Sequence, residues 1–198
     1  MRCSSYFVLL ILFGLSLLSP SALAEIQRFR LDPNQSQIAT KIKDPFGNLV
    51  NGMFRLRQGE ALADIDRLAE TASVSLVIDA SSYNSRIGLR DQDVQEYYLE
   101  VKLYPVIRLD SIAIQTSERP HSFKEPWQIT LKARLELHGA QREVIVPIRL
   151  LYLTNKIIAQ GSFRLSLEDF NIAVPRLLFL KSGNQVEVDF SIVGERQP

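Results

Sequence analysis

Few residues of this chain have types and spacings suited to chemistry, and those few restrict what it can do. The two histidines, His121 and His138, stand far apart, the first in a polar stretch and the second in a turn. Hydrolytic chemistry needs a nucleophile beside a base that a third group orients, and no nucleophile-elbow sequence occurs. The expectation is a binding protein and not an enzyme. Asp64-x-Asp66 and Asp91-x-Asp93 each offer carboxylate oxygens suited to a hard cation. Neither is followed by the remainder of a calcium loop, so turn and helix-cap roles are preferred and no metal is expected. Arg90-Asp91 reads as a structural ion pair at a helix entry in preference to a ligand contact.

The sole cysteine, Cys3, lies near the start of a segment with the features of an export signal. Arg2 supplies its positive charge, Tyr6 to Leu18 its apolar run, and Ala22-Leu23-Ala24 its small-residue cleavage site. That run is about 13 residues against the roughly 20 that span a bilayer, so stable membrane insertion is not expected. Residues 1–24 are expected to be removed and 25–198 to form one domain, without a thiol, disulfide or cysteine-held metal. The expected location is the periplasm.

Charge excludes a further class of partner. The chain has 23 basic and 22 acidic side chains, and removing Arg2 with the leader balances the remainder. No basic cluster marks a nucleic-acid face. Homodimerisation is left open.

The apolar pattern is that of strands, with one exception. In Gly88 to Thr116, Asp93 and Glu96 have the spacing of an N-cap and its capping-box partner. Val94, Tyr97, Tyr98 and Val101 follow at helical spacing, and Leu103-Tyr104-Pro105 supplies a stop. This predicts a short helix, Asp93–Lys102, over or beside a sheet. From Trp127 to Leu137 apolar and polar residues alternate without a phase error, predicting a strand with one apolar and one wet face. Glu143 to Leu153 is apolar on both faces through Ile145, Leu151 and Leu153, which predicts a covered outer face. Residues 61–71 fit a helix or a strand entering a turn. About eight antiparallel strands with short turns result, and closing them into a barrel removes the edges and gathers the apolar faces inside. The fold class is therefore all-β with a short helix: an antiparallel eight-stranded barrel. Periodicity alone favours a packed core inside it over a tunnel.

Several motifs, in order, resemble one family. Asn84-Ser85, Arg90-Asp91, Tyr97-Tyr98 and Tyr104-Pro105 resemble the central signature of the YceI-like proteins. Leu31-Asp32-Pro33 with Ser36 resembles its opening strand. Leu135, Leu137-His138-Gly139 and Val144 resemble its hairpin. Ser166, Asp169-Phe170 and Ile172 resemble its late strand, and Val186 to Ile192 its closing one. The resemblance spans nearly all of 25–198. It implies a lipocalin-like periplasmic barrel whose interior holds a polyisoprenoid or similar long-chain lipid, with no other cofactor. Gln35 and Asp93 stand where that family commonly has histidines, so polar contacts from those histidines do not transfer. The residues then expected to meet the lipid are Phe54, Leu76, Tyr97, Tyr98, Leu103, Ile107, Leu109, Leu131, Leu135 and Phe163, with the tyrosines guarding the tunnel. The rival reading is a filled barrel that acts through its surface as a stress or accessory protein.

Overall fold

Period-two alternation becomes a single antiparallel sheet that closes on itself. The structure, a computed structural model, describes residues 25–118, 125–177 and 180–198. The expected leader (1–24) and His121 lie outside the described residues. The strands are β1 (Gln27–Leu31), β2 (Gln37–Lys43), β3 (Leu49–Ala63), β4 (Ser73–Asn84), β5 (Val106–Thr116), β6 (Trp127–Leu137), β7 (Ala140–Leu153), β8 (Lys156–Ser166), β9 (Arg176–Leu177), β10 (Leu180–Lys181) and β11 (Gln185–Arg196). Neighbours run β2-β3-β4-β5-β6-β7-β8, and β11 pairs with both β8 and β2 to close a ring of eight. β1 pairs with β3 and β11 just as β2 does, but nearer the opposite end of the barrel. β1 and β2 thus fill one place in the ring as a single strand interrupted at Asp32–Ser36. β9 and β10 form a separate two-stranded ribbon.

Local chemistry sets the turns. At the β6–β7 hairpin, Leu137 pairs with Ala140, and His138 and Gly139 both adopt positive φ, the geometry of a two-residue primed turn. Only glycine fits position 139, because the Tyr104 ring lies 2.6 Å from where a Cβ would stand. Shifts of register between β3 and β4 and between β5 and β6 mark bulges, which bend long strands around the barrel.

β6 alternates as expected, every odd-numbered residue from Trp127 to Leu137 being buried. Residues 61–71 resolve into the end of β3, a 3-10 turn (Ile65–Arg67) and α1 (Leu68–Thr71). Asp64 caps this turn by accepting the Asp66 N–H at 2.9 Å.

Several expectations are corrected. The helix begins five residues early: α2 is Gly88–Asp93 and continues as a π-helical turn, Val94–Tyr98. Asp93 ends α2, and its side chain makes no capping hydrogen bond. The entry is shaped upstream, where Asp91 accepts the Ser85 N–H at 2.7 Å and Asn84 Oδ1 accepts that of Arg86 at 2.8 Å. The same bond occupies Asp91, which forms no ion pair with Arg90. The exit lies at Glu100, held at φ 45°, well before Pro105. Finally, the outer face of β7 is uncovered, with Ile145 58% exposed, because α2 caps an end of the barrel and not its side.

Candidate functional site

The interior is built from the inward-pointing half of every strand, and packing does not fill it. Two buried clusters form, one towards each end. Phe29, Leu31, Ile65, Leu68 and Trp127 belong to the first, and Tyr83, Leu99, Leu137, Phe170 and Ile172 to the second. Each end retains a cavity. The lower one, of about 160 Å³, is closed off by β1 and α1 and is lined by Phe, Leu, Ile, Val and Ala side chains alone. The upper one, of about 170 Å³, lies beneath the π turn, which lines it through Val94 and Tyr98, and Thr40, Tyr83 and Tyr98 add hydroxyl groups to its lining.

The two chambers share a wall. Ile38, Ile78, Leu135, Phe163 and Val188 line both. The first four come from β2, β4, β6 and β8, alternate strands of the ring, which is how one layer of a barrel interior is built. This belt divides one apolar channel into two compartments in series. An apolar cavity near 150 Å³ stays dry and admits a molecule the size of benzene. Each chamber is therefore of a size to take a short stretch of hydrocarbon, and a longer chain must displace the belt.

Of the ten residues expected to meet a lipid, eight line these chambers. Leu76, Leu109 and Leu131 face the lower one, Phe54, Tyr98 and Ile107 the upper, and Leu135 and Phe163 both. Tyr97 and Leu103 line neither and are 67% and 69% exposed. The π turn causes the difference between the tyrosines. The widened turn, with Leu99 N–H donating to the Val94 carbonyl at 2.8 Å, aims Val94, Tyr98 and Leu99 at the upper chamber and leaves Tyr97 outside. Leu103 follows the reversal at Glu100 and lies on the surface.

Sequence reasoning missed Ile38, Ile78, Val188 and Tyr83. The first three are inward members of alternating strands, so the period-two signal was sufficient to find them. Tyr83 carried no such signal. Its ring occupies the space a Cβ at Gly52 would need, and its centroid lies 5.3 Å from that of the Phe54 ring. Burial raises the pKa of its phenol, the Asp91 carboxylate acts in the same direction, and Arg90 opposes them.

The lid is tied down on its far side. Nε2 of His138 lies 2.6 Å from Glu100 Oε2, and its Nδ1 lies 3.2 Å from the Phe170 carbonyl oxygen. The Tyr104 ring packs edge-on at 4.7 Å. Gln35 and Asp93, the two departures from the family pattern, sit at opposite ends of the barrel and line neither chamber. Gln35 accepts from Lys156 at 2.8 Å and donates to Glu195 at 3.0 Å. Among the described residues no cluster of metal-ligating side chains forms, and no helix is long and apolar enough to cross a membrane.

A closed lipocalin-like barrel, with an apolar interior beneath a short helix, is the class of protein that these features define. The chain belongs to the YceI-like family, whose YceI-like domain matches residues 29–194. Among solved structures it is similar to BcnA of Burkholderia cenocepacia, with a TM-score of 0.69 and 17% identity over 82% of this chain and 98% of that one. It is also similar to a polyisoprenoid binding domain from Saccharophagus degradans implicated in plant cell wall breakdown, with a TM-score of 0.65 and 18% identity over 85% of this chain and 98% of that one. The YceI protein of Campylobacter jejuni matches with a TM-score of 0.56 and 16% identity over 75% of this chain and 86% of that one. No curated protein sequence matches the chain.

Proposed function

We propose that the protein binds an isoprenoid or similar long-chain lipid inside its barrel and carries it through the periplasm without catalysing a reaction. The observation that carries this reading is the pair of apolar chambers in series, separated only by the belt of Ile38, Ile78, Leu135, Phe163 and Val188. A branched, slender hydrocarbon suits such a channel, and a globular or polar ligand does not. The polyisoprenoid binding domain among its structural relatives supports the ligand class. The leader-like residues 1–24 support export. The engagement of both His138 ring nitrogens, with Glu100 and the Phe170 carbonyl, supports binding in preference to catalysis.

The energetics favour the tail. Each CH₂-sized group removed from water contributes about 0.8 kcal/mol. Micromolar affinity corresponds to about −8.2 kcal/mol, so roughly 15 to 20 buried groups suffice after the costs of ordering. Few polar contacts are then required, and the absence of the two family histidines alters head-group choice more than tail binding.

Calorimetric titration of lipid-stripped protein with geranylgeraniol tests this. Saturable uptake at one site, with the negative heat-capacity change of apolar burial, is the expected result. No heat and no uptake would favour the filled barrel that acts through its surface.

A further inference from the structure

The exposed apolar side chains are unevenly distributed. Eleven large ones are exposed among the described residues, and seven of these stand at the lid end of the barrel. Five occupy one side of that end: Phe46, Leu49, Met53, Ile87 and Leu89, the last 79% exposed. The sheet brings them together. Leu49 lies opposite Lys43 in the β2–β3 pair, and Met53 lies opposite Asn84, from which the chain runs directly to Ile87 and Leu89. Tyr97 and Leu103 stand beyond the π turn.

Cations share this side. Lys43 and Arg86 are exposed, and Arg90 is close enough to Asp44 to act on its charge. Gly183 N–H donates to the Lys43 carbonyl at 2.8 Å, which brings the end of the β9–β10 ribbon, with exposed Lys181, to the same corner. None of these four cations is in a salt bridge among the described residues. The acids on this side are Asp44, Asp91, Asp93 and Glu168; Asp44 and Asp91 accept backbone N–H groups of their turns, and Glu168 accepts from the Asn184 amide at 3.0 Å beside Gly183. Glu100 lies on the far side, where it meets His138. This side of the rim is therefore apolar and carries four cations outside any salt bridge among the described residues, beside acids of which Asp44, Asp91 and Glu168 are engaged by backbone or amide N–H groups.

This side also borders the upper chamber. Met53 points out where its neighbour Phe54 points in, and Lys43 follows Ile42, which lines the chamber. We infer that this side of the lid end docks on an anionic lipid bilayer, with its apolar tips in the interface and Lys43, Arg86, Arg90 and Lys181 against the phosphates. Apolar side chains among cations, at the tips of connections, suit the headgroup boundary better than the flat patch of a protein partner. The inference rests on the lipid-binding reading, and it supplies a route by which a tail passes between bilayer and upper chamber without crossing water.

Every strand of the closed sheet and both core clusters lie within residues 25–198, which are the unit to test. Flotation with phosphatidylcholine vesicles, with and without phosphatidylglycerol, gives the readout. Binding is expected to the phosphatidylglycerol vesicles and to weaken as salt rises. Phe46→Ser with Leu89→Ser, and separately Lys43→Glu with Arg86→Glu, should each lower it about tenfold or more. Neither pair lines a chamber, so geranylgeraniol titration in vesicle-free solution should be unchanged, and this separates failure of docking from failure of lipid binding. Wild-type protein that ignores phosphatidylglycerol vesicles, or variants that bind them as wild type does, would overturn the proposal. So would self-association that the same variants abolish while vesicle binding persists.

Discussion

Tyr97 and Tyr98 are neighbours in the chain with opposite surroundings. Tyr98 contributes to the ceiling of the upper chamber, while Tyr97 is turned to solvent by the π-helical geometry. Tyr98→Ala should therefore weaken geranylgeraniol binding by about tenfold, since a large aromatic contact is worth more than 1 kcal/mol. Tyr97→Ala should leave it unchanged in the same titration. Helical spacing alone assigned both to one stripe, because a local widening of the helix has no signature in the apolar pattern. Tyr83 gives a pH-dependent prediction. Its phenol has a raised pKa in the fold, chiefly through burial, so the folded chain holds this proton more tightly than the unfolded one. The associated stability is fully present below the unfolded tyrosine value near 10 and is lost as pH rises through the folded value. Chemical denaturation across that alkaline range should show a smaller loss for Tyr83→Phe than for wild type.

At the scale of elements, β6 is the clearest case of sequence dictating structure. Leu131 is buried within the barrel, while Lys132 points out and meets Glu143 at 2.8 Å on an exposed surface. Leu131→Ala should cost about 2–5 kcal/mol, and Lys132→Ala no more than about 0.5 kcal/mol, in equilibrium denaturation. The lid was less legible. Asp93 and Glu96 have the spacing of a cap, but Asp91 reaching back to Ser85 fixes the helix start, and that bond depends on how the end of β4 turns. The uncovered face of β7 was misread for a related reason, since alternation reports which residues are apolar and not which layer lies above them. The tie between His138 and Glu100 is a contact between the lid and the β6–β7 hairpin that no local pattern shows. His138→Asn retains a residue that tolerates positive φ but shortens the reach to Glu100. Amide exchange over residues 94–101 should then quicken while β6 and β7 stay protected, as expected of a lid drawn from the less stable part of a fold.

At the scale of the molecule, closure of the sheet accounts for most of what the chain does. It removes the edges that would pair with other chains, and it collects inward residues from all eight ring strands into one apolar channel. Ring size was legible because each strand brings its own alternation and turn. Whether the interior was filled was not, since a packed core and a tunnel both require Leu, Ile, Val and Phe facing inward. The remaining chambers, about 160 and 170 Å³, and the five-residue belt between them result from how those side chains fit together in three dimensions. The account stands on that interior taking a long apolar chain. Native mass spectrometry of the protein purified from its own cells, without detergent extraction, tests this most directly. The account predicts a population heavier than the bare polypeptide by the mass of one long-chain lipid, which stripping removes and geranylgeraniol replaces. A spectrum of bare polypeptide alone, unchanged after incubation of the stripped protein with geranylgeraniol, would contradict it.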